Sequence, residues 1–189
     1  MALQQPQSAP ARFRFTAALY ERMIASGILG EDDRVELIDG EIIAMSPMGA
    51  RHADGIIVAD ELLHERIGRE ARIMVQCPIR LSDESEPEPD LAVLRRRSYR
   101  RTLPTAADVL LVIEIADSSR DFDRTIKLPL YAANGIPEAW LIDLAAETIE
   151  RHTAPVEGRY TMTLIARRGQ RVESLSVPQL TLAPDEFFG

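Results

Sequence analysis

Three residues of this chain could do chemistry together: Asp90, Glu114 and Lys127. Glu114 stands in the middle of "VLLVIEIADSS", residues 109–119. This run of branched aliphatics is too short and too β-branched for a helix, so it predicts a buried central strand. A charge inside such a strand is costly unless something cationic meets it. Asp90 opens the apolar stretch "DLAVL", 24 residues earlier, and the connection between them is long enough to return the chain to a neighbouring strand. On adjacent strands the two carboxylates would supply the paired hard oxygen donors that Mg²⁺ or Mn²⁺ requires, and the cation would account for burying Glu114. Lys127 follows Glu114 by 13 residues, at the start of the next expected helix, and its long stem could reach the same sheet edge. An ammonium there could orient water or neutralise a pentavalent phosphate. On residue types and spacing alone two readings stay open. One is metal-dependent phosphodiester hydrolysis; in the other Glu114 is salt-bridged to an arginine and Asp90 merely starts a strand.

Lys127 is the only lysine among 22 basic residues, the rest being arginine. A GC-rich coding background is the plain explanation for the bias. Arginine still cannot replace a compact ammonium on a flexible stem inside a tight pocket, which makes the one retained lysine informative.

The elements that must position these residues follow from pattern. Thr16 is a fair N-cap for a helix over "AALYERMIAS" ending at Gly27. "RVELIDGEIIAM" alternates around Asp39-Gly40, a dipeptide suited to a two-residue hairpin turn. "ADGIIVADELLHERIG" carries apolar residues at helical spacing and closes at Gly68. "ARIMVQCPIRL" reads as a strand bent or placed at an edge by Pro78. After "VLLVIEI" a helix over about 122–133 is expected, with a kink or late start at Pro129, and "EAWLIDL", "TIERHT" and "RYTMTLIAR" finish as strands. The order predicts an α/β (mixed α+β) domain, a central mixed sheet flanked by helices. Residues 1–11 read as a flexible polar tail and 12–189 as a single domain.

Composition is ordinary for a globular protein, at 46% hydrophobic and 28% charged residues. No stretch approaches the roughly 20 apolar residues of a membrane span, and the N-terminal segment lacks the basic and apolar regions of a signal peptide. The single cysteine, Cys77, lies in the apolar run "IMVQCPI", which predicts a small buried thiol in a cytoplasmic protein. The net charge of −8 argues mildly against a nucleic-acid binder. "RRRSYRR", residues 95–101, nevertheless holds five arginines in seven positions, and "SDESEPEPD", residues 82–90, five carboxylates in nine. A local basic patch on an acidic protein leaves phosphate binding open.

Pro89-Asp90 followed by "VIEIADSS…D…K…Y…GIPEAWLIDL", from Val112 to Leu144, resembles the Uma-type restriction endonuclease family of the PD-(D/E)XK nuclease superfamily. The resemblance extends upstream through "ELIDGEIIAMSP" and the helix of His52, covering roughly residues 34–152. It implies a restriction-endonuclease-like fold with Asp90 and Glu114 holding Mg²⁺ or Mn²⁺. It implies further that the lysine function has moved from the third motif position, here Ala116, to Lys127 on the following helix. Glu36 resembles an upstream acidic position of that family, against the alternative of an exposed hairpin carboxylate.

Other residues carry two readings each. His52 could meet a phosphate or cap its helix. Tyr131, one turn beyond Lys127, could orient the lysine or pack in the core. Asp123 reads as the N-cap of the Lys127 helix, Asp117, Ser118 and Ser119 as turn residues, and Trp140 as core. Arg95, Arg96 and Arg97, with the interleaved Tyr99, are the best candidates for nucleic-acid contact; otherwise they form a solvated loop paired with the acidic stretch. The expected function is metal-dependent cleavage of nucleic acid, DNA foremost, in a possible homodimer. The alternative is a nuclease-like module that binds nucleic acid or a protein partner without cutting.

Overall fold

The computed structural model of the chain describes residues 12–30 and 32–189, so the tail expected over residues 1–11 lies outside the described residues. Thr16 caps α1 (Ala17–Ala25) by accepting a hydrogen bond from the Leu19 N–H. Asp39 and Gly40 take φ of 47° and 73° and join β1 (Val35–Ile38) to β2 (Glu41–Ala44) as an antiparallel hairpin. α2 (Ala50–Ile67) starts behind Gly49, ahead of the expected position, and closes at Gly68, whose φ is 57°.

The core is a six-stranded sheet in the order β3-β4-β5-β6-β7-β8. Its strands are β3 (Arg72–Val75), β4 (Leu91–Leu94), β5 (Val109–Ala116), β6 (Glu138–Asp143), β7 (Thr148–Val156) and β8 (Arg159–Ala166). All neighbours are antiparallel except β5 and β6. A parallel pair needs a crossover, and the helical segment over residues 120–133 provides it. That segment runs as α3 (Arg120–Phe122), a π-helical turn (Asp123–Lys127) and α4 (Leu128–Ala133). The irregularity expected at Pro129 is therefore a π turn, in which the Leu128 N–H reaches back to the Asp123 carbonyl.

Strand alternation divides the core into two faces. Leu91, Val93, Leu111, Ile113 and Ile115 pack under α2. Ala92, Leu94, Val109 and Val112 pack with Leu128 and Tyr131 of α4. Beyond β8 the chain adds β9 (Val172–Glu173), β10 (Thr181–Leu182) and α5 (Pro184–Phe188), which close over the α2 side.

Two local expectations are corrected. β3 ends at Val75 because Gln76 turns to φ 44°, and Cys77 beyond it is exposed rather than buried. The acidic 82–90 stretch is held against its neighbours. Glu86 is 3% exposed and pairs with Arg80, and its N–H donates to the Leu37 carbonyl, tying the stretch to the β1–β2 hairpin. Among the described residues no helix is long and apolar enough to cross a membrane.

Candidate active site

β4 and β5 are hydrogen-bonded neighbours with Leu91 opposite Ile113, which sets Asp90 beside Glu114 at one end of the pair. Period-two alternation turns both carboxylates to the face of Ala92 and Val112. The two residues are tied directly. The Ile115 N–H donates to Asp90 Oδ2 at 2.8 Å, and the Asp90 N–H approaches Glu114 Oε2 at 3.4 Å. Asp90 and Glu114 are 8% and 2% exposed.

The helical segment brings the cation. Across the π turn and the following α-helical turn, Asp123, Lys127 and Tyr131 all face the sheet and are buried. Lys127 Nζ lies 3.4 Å from Glu114 Oε1 and 3.5 Å from Glu36 Oε2, and donates to the Glu88 carbonyl at 3.2 Å. The Tyr131 hydroxyl donates to Glu114 Oε1 at 2.5 Å, which fixes the carboxylate from the lysine's own helix.

Glu36 is 2% exposed, so it is no surface hairpin carboxylate; β1 carries it inward, where its Oε2 accepts the Glu88 N–H at 3.1 Å. His52 sits in the first turn of α2 without capping it, and its Nε2 is 2.8 Å from Asp90 Oδ1. Glu36, His52, Asp90, Glu114, Asp123 and Lys127 line a cleft of about 710 Å³ between the sheet end, α1, the β1–β2 hairpin and the π turn.

The electrostatics are those of a site with surplus negative charge. Burial pushes Glu114 well above the ordinary carboxylate range; the Lys127 ammonium opposes that shift, and Asp90 adds to it. Burial likewise raises Asp123 to about 6, against the hydrogen bond from Ser119. For Lys127 burial pulls downward, but Glu114, Glu36, Asp123 and Asp90 outweigh it and hold the ammonium above its usual value. The hydrogen bond to Asp90 raises His52 despite partial burial. Four buried carboxylates thus face one buried ammonium and one imidazole.

Among the described residues no three His, Cys, Asp or Glu side chains form a metal-holding group by themselves. Two carboxylates, Asp90 and Glu114, do lie side by side at the cleft floor. Mg²⁺ sites commonly draw only one or two carboxylates from the protein and fill the rest with water and phosphate oxygens.

The other sequence candidates divide. Asp117, Ser118 and Ser119 line the cleft, and Ser119 Oγ donates to Asp123 Oδ2 at 2.6 Å. Asp123 is not an N-cap: it lies inside the helical segment, 3% exposed, facing the cleft. Trp140 is core, its indole N–H bonded to Glu138.

The structure does not bring Arg95, Arg96 or Arg97 to this cleft. They follow the opposite end of β4, roughly 16 Å of extended chain from Asp90. There Arg95 Nε donates to the Ala107 carbonyl, Arg96 to the Arg69 carbonyl, and Arg97 forks onto Asp108 through two bonds of 2.6 Å. Their partners are not the acidic stretch expected from proximity in sequence.

Two features escaped the sequence. Arg124 bridges the π turn to buried Asp143 and Glu150 of β6 and β7. The cleft also has an apolar wall, built from α1 and the chain after β2. The spacing Asp123-x₃-Lys127-x₃-Tyr131 carried a signal for one shared face; the apolar wall, assembled from distant segments, carried none.

Comparison with known proteins fits this architecture. No curated protein matches the chain. Among solved structures, "a putative nuclease belonging to DUF820 from Anabaena variabilis ATCC 29413" shares the fold with a TM-score of 0.73 at 17% identity. The match covers 92% of this chain and 97% of that one. The six-stranded mixed sheet with flanking helices is thus the restriction-endonuclease-like fold that the motifs implied. The Uma2 family, described as "Putative restriction endonuclease", matches residues 17–185, and this chain belongs to that family.

Proposed function

We propose that the chain is a divalent-metal-dependent nuclease that hydrolyses phosphodiester bonds in DNA. The observation that carries the reading is the meeting of Asp90, Glu114 and Lys127 in one cleft, from two adjacent strands and the crossover helix between β5 and β6. The family description supports nucleic acid as the substrate class.

Asp90 and Glu114 would hold Mg²⁺ or Mn²⁺. The fit rests on the donor chemistry: hard oxygens, already buried, in a cleft whose four buried carboxylates outnumber Lys127 and His52. When bound, the cation would polarise the scissile phosphate and lower the pKa of a coordinated water. The chain's own side chains do the rest. Lys127, kept protonated by its carboxylate neighbours, is suited to stabilising charge on the phosphate rather than to accepting a proton. Tyr131 holds the Glu114 carboxylate in one orientation, and His52 does the same for Asp90. Glu36 steadies the ammonium from the opposite side.

The test is cleavage of single-stranded, supercoiled and linear duplex DNA by purified protein with Mg²⁺ or Mn²⁺. Activity lost in Asp90→Ala, Glu114→Ala and Lys127→Ala alike supports the reading. Cleavage retained in all three overturns it.

A further inference from the structure

We infer that the cleft takes an unpaired nucleotide, so that the substrate is a single-stranded or locally unpaired nucleic acid and not a continuous duplex. The inference rests on the nuclease reading above and adds to it the state of the strand that is cut.

Three observations point this way. First, the cleft has two chemically different halves. Carboxylates and Lys127 occupy its floor, whereas Ile24, Leu29, Ile43, Met45, Met48 and Phe122 line the rest. Ile24 and Met48 are 48% and 39% exposed at its mouth, large apolar side chains left in water beside a charged site. A phosphate has no use for such a wall. A nucleobase does: its flat π-face packs on aromatic and thioether groups, and polar side chains at the edge can read its rim. Gln76 and Ser46 supply such groups in the same cleft.

Second, the size suits a pocket. About 710 Å³ falls in the range of roughly 300–1,000 Å³ typical of clefts that engulf a small ligand. An unstacked nucleotide enters such a space; a base held in a duplex stack does not.

Third, the charges needed to follow a duplex are missing. Seven side chains lining the cleft are carboxylates, and the cations among them are Arg34 and Lys127, with His52 when protonated. Duplex binding draws on neutralising several phosphates along the backbone. The Arg95–Arg101 segment that could do so lies at the far end of β4, away from the cleft, with Arg95, Arg96 and Arg97 bonded there to other groups. Grip on the substrate then comes from base burial in the same cleft as the scissile phosphate.

The test uses three fluorescein-labelled DNAs of one sequence: a single strand, a blunt duplex, and that duplex with one bulged nucleotide. A strand of tetrahydrofuran abasic residues, a phosphodiester chain without bases, serves as the fourth substrate. With Mn²⁺ the single strand should be cut at least tenfold faster than the blunt duplex, and the bulge should restore cutting beside itself. Met48→Glu should raise KM for the single strand at least tenfold, and by a much smaller factor for the base-free diester. Equal rates on single strand and blunt duplex, with the diester hydrolysed, would overturn this inference and leave the nuclease reading intact.

If no substrate is hydrolysed, the nuclease reading fails, and anisotropy of the labelled DNAs still decides the wall. Tighter single-strand binding, weakened by Met48→Glu, upholds it, and equal binding overturns it. A dimer in sedimentation that Met48→Glu dissociates, with unaltered single-strand affinity, would instead assign the wall to a second copy of the chain and overturn the inference.

Discussion

Lys127 Nζ lies 3.4 Å from Glu114 Oε1, so the ammonium missing from the strand arrives from the helical segment that follows it. Ala116, two residues past Glu114 on the same face, is fully buried and leaves no exposed stem for a charge. The lysine's surroundings also explain why an arginine-rich chain keeps it. Nζ is enclosed by Glu36, Glu114 and the Glu88 carbonyl, all within 3.5 Å. A compact ammonium fits that enclosure, whereas a planar guanidinium is larger and demands a different donor geometry. Lys127→Arg is therefore expected to lose at least tenfold in kcat although the charge is retained. Steady-state kinetics on DNA checks this, and a rate within twofold of the parent would show that charge alone suffices.

Asp123 makes stability depend on pH in an unusual direction. Burial raises its folded-state pKa from 3.8 to about 6. A carboxylate raised in this way favours folding below its unfolded pKa, and that contribution disappears as pH climbs through the folded value. In metal-free protein Asp123 should thus cost roughly 2–2.5 kcal/mol at pH 8 relative to pH 4. Asp123→Asn, which can keep the Ser119 contact, should raise Tm at pH 8 and change it little at pH 4.5. Thermal melts in EDTA across that range test it; parallel Tm profiles for the two proteins would contradict the assignment.

Arg124 is expected to act as a positioning residue for Lys127. It stands between Asp123 and Lys127 in the π turn, and its guanidinium reaches Asp143 and Glu150 of the sheet. For Glu150, burial pulls the pKa upward, but the hydrogen bonds from His152 and Arg124 outweigh it and hold the carboxyl below its usual value. Arg124→Met should lower kcat with little change in KM and destabilise the fold by roughly 1–3 kcal/mol. Adding Glu150→Gln removes the stranded charge and should recover stability without recovering rate. Joint recovery of both would mean that Arg124 only supports the fold.

Arg97 is expected to serve stability rather than cleavage. Its two hydrogen bonds to Asp108, with those from Thr105, outweigh burial and hold that carboxyl down at about 2. A depressed carboxylate contributes stability above its unfolded value near 3.8, and the contribution fades as pH falls toward 2. Arg97→Gln should move the acid-unfolding midpoint to higher pH and leave DNA cleavage at pH 7.5 unchanged. A marked loss of cleavage would return the arginine segment to the substrate surface.

The fold was legible wherever the pattern was local. Asp39-Gly40, the Thr16 cap and the aliphatic run around Glu114 each specify their element through sterics or periodicity, and each forms as expected. The Asp90–Glu114 pairing was legible because two buried strands joined by a short excursion tend to be neighbours. Burial of single polar groups was not. Cys77 sits in an apolar run yet is exposed, because Gln76 breaks the strand just before it.

Glu138 shows the limit best. It is a second carboxylate in a buried strand, fully inaccessible, and nothing in its neighbours distinguishes it from Glu114. Its environment does. Glu138 accepts from the Trp140 indole, the Ser174 hydroxyl and the Leu175 and Ser176 N–H groups, so its charge is satisfied without a cation. Glu114 depends on Lys127 and Tyr131 and shares its surroundings with three other buried carboxylates. Donors contributed from residues 36 positions away cannot be read from the strand itself.

Asp90 and Glu114 are expected to hold a divalent ion together, and direct Mn²⁺ titration followed by electron paramagnetic resonance tests this without relying on turnover. The parent protein should bind Mn²⁺ at millimolar concentration or tighter at pH 7.5, and Glu114→Gln and Asp90→Asn should each weaken binding at least tenfold while remaining folded. Unchanged Mn²⁺ affinity in both variants would contradict the account.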